Sequence, residues 1–275
     1  MPERLLGLPI VPTVVAYAPR ERMRDLLKKG FPRRKGRLVI ARSASDFAAA
    51  FHEDLIDAAI VDIAAPTDET WDAVGRALEF PSVPFFAWAA MRVADGPALA
   101  RCARADFADT IHEGVDDVAL RDVVLPQSFS VRFALALKDA AALLGIRGAL
   151  QEKAWTAITT QGGRPVRTSR IAEELNVTRE HLSRTFSQAG APNLKRVIDL
   201  VRVIAAAELS KNPGYDVADV ARVLGFASAS HLSGTAHRIA DTKPSSLARL
   251  RAADLIAWFA QGGRARSRKA PAPDA

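Results

Sequence analysis

The sequence predicts two unlike halves, an α/β fold over its first 125 residues and an all-α fold after them. Three observations carry this. Before Pro126, short β-branched runs alternate five times with amphipathic stretches, which is the signature of parallel strands with helices on both faces. After Pro126 the apolar residues recur at helical spacing instead. Charge divides at the same place: residues 1–125 carry 16 Lys and Arg against 19 Asp and Glu, and residues 126–275 carry 22 against 12.

In the first half, Val14 to Tyr17 is a strand and Glu21 to Lys29 a helix. Leu38 to Ala41 and Ser45 to Glu53 form the second pair. Ala58 to Ile63 and Thr70 to Leu78 form the third, and Pro84 to Trp88 with Pro97 to Ala105 the fourth. Thr110 to His112 is a weak fifth strand, and Asp116 to Val124 a closing helix. Ala59-Ile60-Val61 is apolar without alternation, as a strand covered on both faces is. Lys28 to Arg37, KKGFPRRKGR, reads as a solvated loop, with a nucleic-acid patch as the other reading. Phe85 and Phe86 read as strand core; the alternative is a ligand pocket shared with Trp71 and Trp88.

Pro126 marks a boundary, and residues 126–148 read as a connector. Its helix, Val131 to Ile146, places Phe133, Leu137, Ala140, Ala141 and Leu144 on one side and ends near Gly145 and Gly148. It is either a dimer seam or a helix packed within the chain, and it is too short for sustained heptads.

Residues 149–262 form the helical half. Leu150 to Thr160 is a helix, broken by Gln161-Gly162-Gly163-Arg164-Pro165. Ile171 to Phe186, IAEELNVTREHLSRTF, then reads as two short helices around a tight corner. Ser169 is an N-cap signal for the first and Thr178 for the second. Asn176 tolerates the left-handed backbone of a helix exit. Ile171, Ala172, Leu175, Leu182 and Phe186 face inward, which leaves Arg179, Glu180, Ser183, Arg184 and Ser187 outward. A polar outer face of this kind can enter a major groove and read base edges. Gly190 to Pro192 ends that helix, and Asn193 caps a long one, NLKRVIDLVRVIAAAELSKN. Leu194, Val197, Ile198, Val201, Ile204, Ala205 and Leu209 share one of its faces. About 19 residues at 1.5 Å each would span roughly 30 Å. Asn212-Pro213-Gly214 stops it.

The corner unit recurs. In Val220 to Ala236, VARVLGFASASHLSGTA, Ala221, Leu224, Phe226 and Leu232 stand where Ala172, Leu175, Val177 and Leu182 stood, with one residue inserted at the corner. The period is roughly 50 residues.

Leu175-Asn176-Val177-Thr178, Leu182, Arg184, Phe186 and Gly190, followed by Gly225-Phe226 and Lys243-Pro244-Ser245, resemble the double helix-turn-helix DNA-binding domain of AraC/XylS transcription regulators over Leu150 to Arg251. The resemblance implies two recognition helices in successive major grooves of double-stranded promoter DNA, about one helical turn or ~34 Å apart. It implies base reading by Arg179, Glu180, Ser183, Arg184 and Ser187, joined by Ser230 and Ser233 of the second unit. Arg184 matches the two acceptors of guanine, and Glu180 can accept from cytosine. Thr178, Lys195, Arg196, His237 and Arg238 are the phosphate candidates, with a plain surface role as the alternative for Lys195 and Arg196. The second unit departs from the family: Gly234 stands where a base-contacting arginine is usual and Ala236 where a core phenylalanine is usual. His231 replaces a residue the family often buries and reads as a satisfied structural histidine. The first unit should therefore carry most of the specificity.

The α/β half resembles the receiver domain of response regulators, a flavodoxin-like fold with a five-stranded parallel sheet. Ala58 to Pro66, AAIVDIAAP, matches its third strand, with Asp62 on the phospho-acceptor. Receivers hold magnesium with acidic residues after the first strand, because the metal and the phosphoryl group must be balanced by oxygen ligands. Here that strand runs into Ala18-Pro19-Arg20, the switch hydroxyl is Ala89, and His112 and Glu113 stand near the missing lysine. Asp62 reads as a vestige. The half is a shell for dimerisation, partner contact or autoinhibition.

Composition narrows the function classes. Cys102 is the only cysteine, which excludes an internal disulfide and a cysteine-rich zinc site, and it reads as a small apolar filler. No apolar run approaches the ~20 residues of a membrane helix, and no signal peptide is evident, so the sequence reads as cytoplasmic with no membrane partner. There is no metal-spaced His/Cys cluster, phosphate-binding glycine loop or Ser-His-Asp context, so no enzyme, metal or cofactor is expected. RNA polymerase is an implied partner and a homodimer an open form. Residues 263–275, with Arg264, Arg266, Arg268 and Lys269, read as a disordered basic tail that either adds nonspecific DNA affinity or is simply solvated. A sensor or adaptor acting through protein contacts is the alternative function.

Overall fold

The computed structural model describes residues 11–32, 36–187 and 190–267. Strands β1 (Thr13–Tyr17), β2 (Arg37–Ala41), β3 (Ala58–Asp62), β4 (Phe85–Ala89) and β5 (Asp109–His112) form one parallel sheet in the order β2-β1-β3-β4-β5. This is the flavodoxin-like doubly wound order. Helices α1 (Glu21–Gly30), α2 (Ala44–Glu53), α3 (Asp68–Glu79) and α4 (Gly96–Arg104) fall where the amphipathic stretches predict. The closing helix α5 is shorter, Leu120–Val124. Asp116 and Asp117 do not open it. Their carboxylates accept from His112 N at 2.8 Å and Gly114 N at 3.1 Å, closing turns ahead of it.

Successive strand residues face opposite ways, so the sheet has two cores. Val14, Ala16, Ile60, Phe86 and Trp88 meet Met23 and Leu27 of α1 and Leu120 and Val124 of α5. Val15, Tyr17, Val61, Phe85 and Ala87 meet Phe47 and Phe51 of α2 and Val74 and Ala77 of α3. Phe85, Phe86 and Trp88 are buried, in line with strand core. Trp71 is half-buried under the Arg101 guanidinium, 4.2 Å from its ring centre. Cys102 is a buried filler, and burial pushes its thiol up to about 11.

The second core runs without a break into the helical half. Phe85 stacks on Phe51 at 5.7 Å and Phe51 on Phe80 at 4.4 Å, and Phe80 meets the edge of Tyr215 at 4.9 Å. Tyr215 donates its hydroxyl to Phe51 O at 2.9 Å, and Gly214 N donates to Glu79 O at 3.0 Å. A Cβ on Gly214 would lie 2.6 Å from the Phe80 ring, so only glycine admits this approach.

The connector corrects the expected single helix. It is two pieces, α6 (Phe129–Ala136) and α7 (Ala140–Leu143). Trp155 Nε1 donates to Leu137 O at 3.1 Å, engaging a carbonyl that a continuous helix would use itself. Phe133, Leu137, Ala140, Ala141 and Leu144 are buried, so packing within the chain accounts for the apolar side.

The remaining helices are α8 (Ala149–Thr159), α9 (Thr168–Glu174), α10 (Arg179–Phe186), α11 (Leu194–Leu209), α12 (Val217–Val223), α13 (Ala229–Ala240) and α14 (Ala252–Ser267). Ser169 is not an N-cap: α9 starts two residues earlier than that cap would place it, at Thr168, with Arg167 at the cap position and no side-chain bond. The entry is held upstream by Arg164, which donates to Asp57 Oδ2 at 2.6 Å and Leu55 O at 2.7 Å. The long helix α11 has 16 residues, about 24 Å at 1.5 Å per residue. It ends because Pro213 has no N–H to give Leu209 O; Asn212 Nδ2 donates to that carbonyl at 2.9 Å and bridges to Ser82 of the α/β half. Besides its predicted face, Leu200, Val203, Ala206 and Ala207 are buried, so α11 is wrapped on nearly all sides. At the other end, α14 continues through Ser267, so 263–267 is helical where a tail was expected. Arg268, Lys269 and the rest of that tail lie outside the described residues.

Candidate nucleic-acid interface

Both corner units are built the same way. In the first, Asn176 is left-handed (φ 55°), Asn176 N donates to Glu173 O at 3.1 Å and Val177 N to Ala172 O at 3.0 Å. In the second, Gly225 is left-handed (φ 62°), Gly225 N donates to Arg222 O at 2.9 Å and Phe226 N to Ala221 O at 2.8 Å. These paired bonds are the Schellman closure of a helix end. Each second helix then opens with a hydroxyl cap. Thr178 Oγ1 accepts from His181 N at 3.1 Å, and Ser228 Oγ accepts from His231 N at 3.1 Å.

Within α10, Leu182 and Phe186 are buried. Arg179, Glu180, Arg184 and Ser187 are exposed and Ser183 is half-buried. Ser187 donates its hydroxyl back to Ser183 O at 3.1 Å. Among the described residues, Arg179 and Arg184 have no hydrogen-bond or ion-pair partner, so both guanidinium groups are available to a ligand. The predicted row therefore stands on one side of α10, with Thr178 at its start.

The second unit presents less. On α13, Ser230 is exposed, Ser233 half-buried, and Gly234 exposed with nothing near its missing side chain. Ala236 is buried, so the smaller residue still fills the core position. His231 has the partners of a satisfied structural histidine, but it sits at the surface. It is exposed, lies edge-on to Phe226 at 5.5 Å, and accepts from Ala227 N at 3.4 Å.

Among the phosphate candidates, Lys195 is exposed in the first turn of α11, behind the Asn193 cap, whose side chain accepts from Arg196 N at 3.1 Å. Arg196, His237 and Arg238 line one cleft of about 690 Å³ with Trp258 and Phe259. Arg196 lies over the Phe259 ring at 4.9 Å. Arg238 donates to Asp199 at 2.9 Å, and His237 pairs with Asp241 at 3.0 Å. These residues come from three helices, α11, α13 and α14, and only folding brings them together. Trp258, 45% exposed, was not singled out from the sequence; its signal is an aromatic beside Leu255 and Phe259 that the inward spacing does not need.

Arg202 was also missed. It is buried on α11, lies 3.8 Å over the Phe226 ring and donates to Leu224 O at 2.9 Å. Burial lowers its pKa, partly offset by Asp199. It ties the second corner to the long helix. Its only sequence signal is a charge interrupting Val201 and Val203.

Residues 171–250 match the family model of a helix-turn-helix domain. The C-terminal half carries a helix-turn-helix domain of the AraC type. Among solved structures, full-length FixJ from B. japonicum is similar at 14% identity, covering 82% of this chain and 96% of that one, with a TM-score of 0.38. The response regulator StyR is similar at 16% identity, covering 70% and 98%, with a TM-score of 0.36. No curated protein matches the sequence. The receiver likeness of the N-terminal half stands on its strand order and on Asp62 at the C-terminal end of β3.

Asp62 itself is buried and paired. Arg20 donates to it from Nε at 2.7 Å and from a terminal nitrogen at 2.8 Å. No helix among the described residues is long and apolar enough to cross a membrane.

Proposed function

We propose that the chain is a sequence-specific DNA-binding transcription regulator that sets α10 and α13 into adjacent major grooves of promoter DNA. The observation that carries this reading is the outward row on α10, Arg179, Glu180, Ser183, Arg184 and Ser187, in which both guanidinium groups are unpartnered, backed by buried Leu182 and Phe186. A guanidinium with all its donors open suits guanine O6 and N7. Thr178 has a hydroxyl proton still to give, and with Lys195 and the Arg196, His237 and Arg238 cleft it suits phosphate. Ser230 and Ser233 add short-range contacts from α13. RNA polymerase is the partner a promoter-bound regulator implies, and a homodimer is its possible assembly. Footprinting on DNA selected by the full chain tests this. Protection over two adjacent turns supports it, and one protected turn removes α13 from the reading pair.

A second reading has a specific observation in its favour. Gly234 leaves the outer face of α13 bare, while Arg238 and His237 are engaged by Asp199 and Asp241. A sensor or adaptor that binds DNA weakly and works through protein contacts would look like this. It predicts no selected sequence and a purely salt-governed affinity.

A further inference from the structure

A phospho-accepting aspartate works with a divalent cation, and the residues around Asp62 do not fit one. Arg20 donates from Nε to Asp62 Oδ2 at 2.7 Å and from NH2 to Asp62 Oδ1 at 2.8 Å. The same NH2 donates to Glu113 Oε2 at 2.7 Å, which also accepts from Trp88 Nε1 at 2.9 Å. Arg22 pairs with Glu113 Oε1 at 2.9 Å. The Ala64 carbonyl, two residues past Asp62, accepts from Arg92, and Arg92 is held in turn by Asp95. The carboxylates are nearly sealed, with side-chain exposures of 1% for Asp62 and 7% for Glu113.

The charges close. Asp62 and Glu113 are matched by Arg20 and Arg22, so a metal ion would enter with its whole charge uncompensated. Magnesium also demands near-octahedral oxygen ligands. Among the described residues no group of three or more His, Cys, Asp or Glu could hold a metal. Burial disfavours the Arg20 charge, but its bonds to Asp62 and Glu113 outweigh this and raise its pKa.

We propose that the Arg20 guanidinium is a built-in replacement for the metal ion, which keeps divalent cations and phosphoryl groups away from Asp62. Phosphorylation from acetyl phosphate would require an Asp62 oxygen to bond phosphorus while the bond to acetate breaks and acetate leaves. Both oxygens are committed to Arg20, and the paired charges leave no net negative charge to hold the cation that would balance the incoming phosphoryl group. The N-terminal half then stays in one charge state, whatever the supply of phosphodonor.

The test uses the full chain. Wild type incubated with acetyl phosphate and magnesium is expected to gain no phosphoryl group by intact-protein mass spectrometry, and manganese is expected to leave its tryptophan emission unchanged. Phosphate mapped to Asp62, or a saturable manganese quench, overturns the proposal. Arg20→Asp should acquire a saturable quench through Trp88, lost again in Arg20→Asp/Asp62→Asn. If Arg20→Asp folds and binds no more manganese than wild type, Arg20 is not what excludes the metal and the proposal fails. If that variant does not fold, the wild-type labelling and titration decide alone.

Discussion

Asp57 and Arg164 stand 107 residues apart and meet at 2.6 Å, with the carboxylate fully buried. Asp57 also accepts from Thr13 N at 2.7 Å and Ser130 N at 3.0 Å. One side chain therefore ties together β1, the connector and the segment that leads into the first helix-turn-helix. Removing one partner of a buried pair costs about 3–5 kcal/mol. Arg164 is partly exposed, so Asp57→Asn should fall at the lower end, about 3 kcal/mol by urea denaturation. Arg164→Gln added to it should cost less than the sum of the two single changes.

The open guanidinium of Arg184 should matter to DNA and not to folding. Arg184→Ala is expected to cost about 1–3 kcal/mol on the selected site and to relax one base position. Lys195→Ala should weaken all sequences alike and reduce the salt slope by about 1. Band-shift titrations at several salt concentrations separate the two. Equal behaviour of both variants would remove Arg184 from the reading set.

Gly234 and Gly214 should respond in opposite ways. Gly234 sits in an exposed helix interior with nothing near its missing side chain, so Gly234→Ala should stabilise by about 0.5–1 kcal/mol. Thermal unfolding measures it.

Gly214→Ala drives a methyl into the Phe80 ring. Overpacking of this kind costs about 1–3 kcal/mol. Because the contact braces α12 against the α/β half, its effect should also appear at the second turn of the footprint, while protection by α10 persists.

Acid should loosen the Arg20 network. Burial raises the Glu113 pKa, but bonds from Arg20 and Trp88 outweigh this and hold it below its ordinary value of 4.5. A carboxyl depressed in the folded state stabilises where its unfolded form is ionised, above about pH 4.5, and that contribution disappears as the pH falls through the folded value. The unfolding temperature should drop below that pH. Glu113→Gln should be less stable near neutrality and show a shallower acid limb.

Much of the fold was legible because its signals are local. Strand β3 is visible as Ala58 to Ile63, and the αL exit at Asn176 is written in a residue type that tolerates it. The repeated closure at Asn176 and Gly225 reflects two matching patterns roughly 50 residues apart. The departures have both local and distant causes: Asp116 and Asp117 close turns onto His112 and Gly114 and shorten α5, and elsewhere a distant partner overrides a local preference. Trp155 reaches the Leu137 carbonyl and divides the connector. Asn212 bridges to Ser82 just past the end of α11. At α9 the cap position falls on Arg167, two residues before Ser169, with no side-chain bond.

By itself the sequence determined which segments are strands or helices, that a corner unit occurs twice, and which residue types line the outside of α10. Periodicity and turn chemistry act between near neighbours, so they can be read along the chain. Only the tertiary structure decided that the two halves share one core through Phe51, Phe80 and Tyr215, that Arg196, His237, Arg238 and Trp258 line one cleft, and that Arg20 closes over Asp62. Each of these depends on groups brought together across tens of residues, where burial and charge pairing, not local preference, set the outcome.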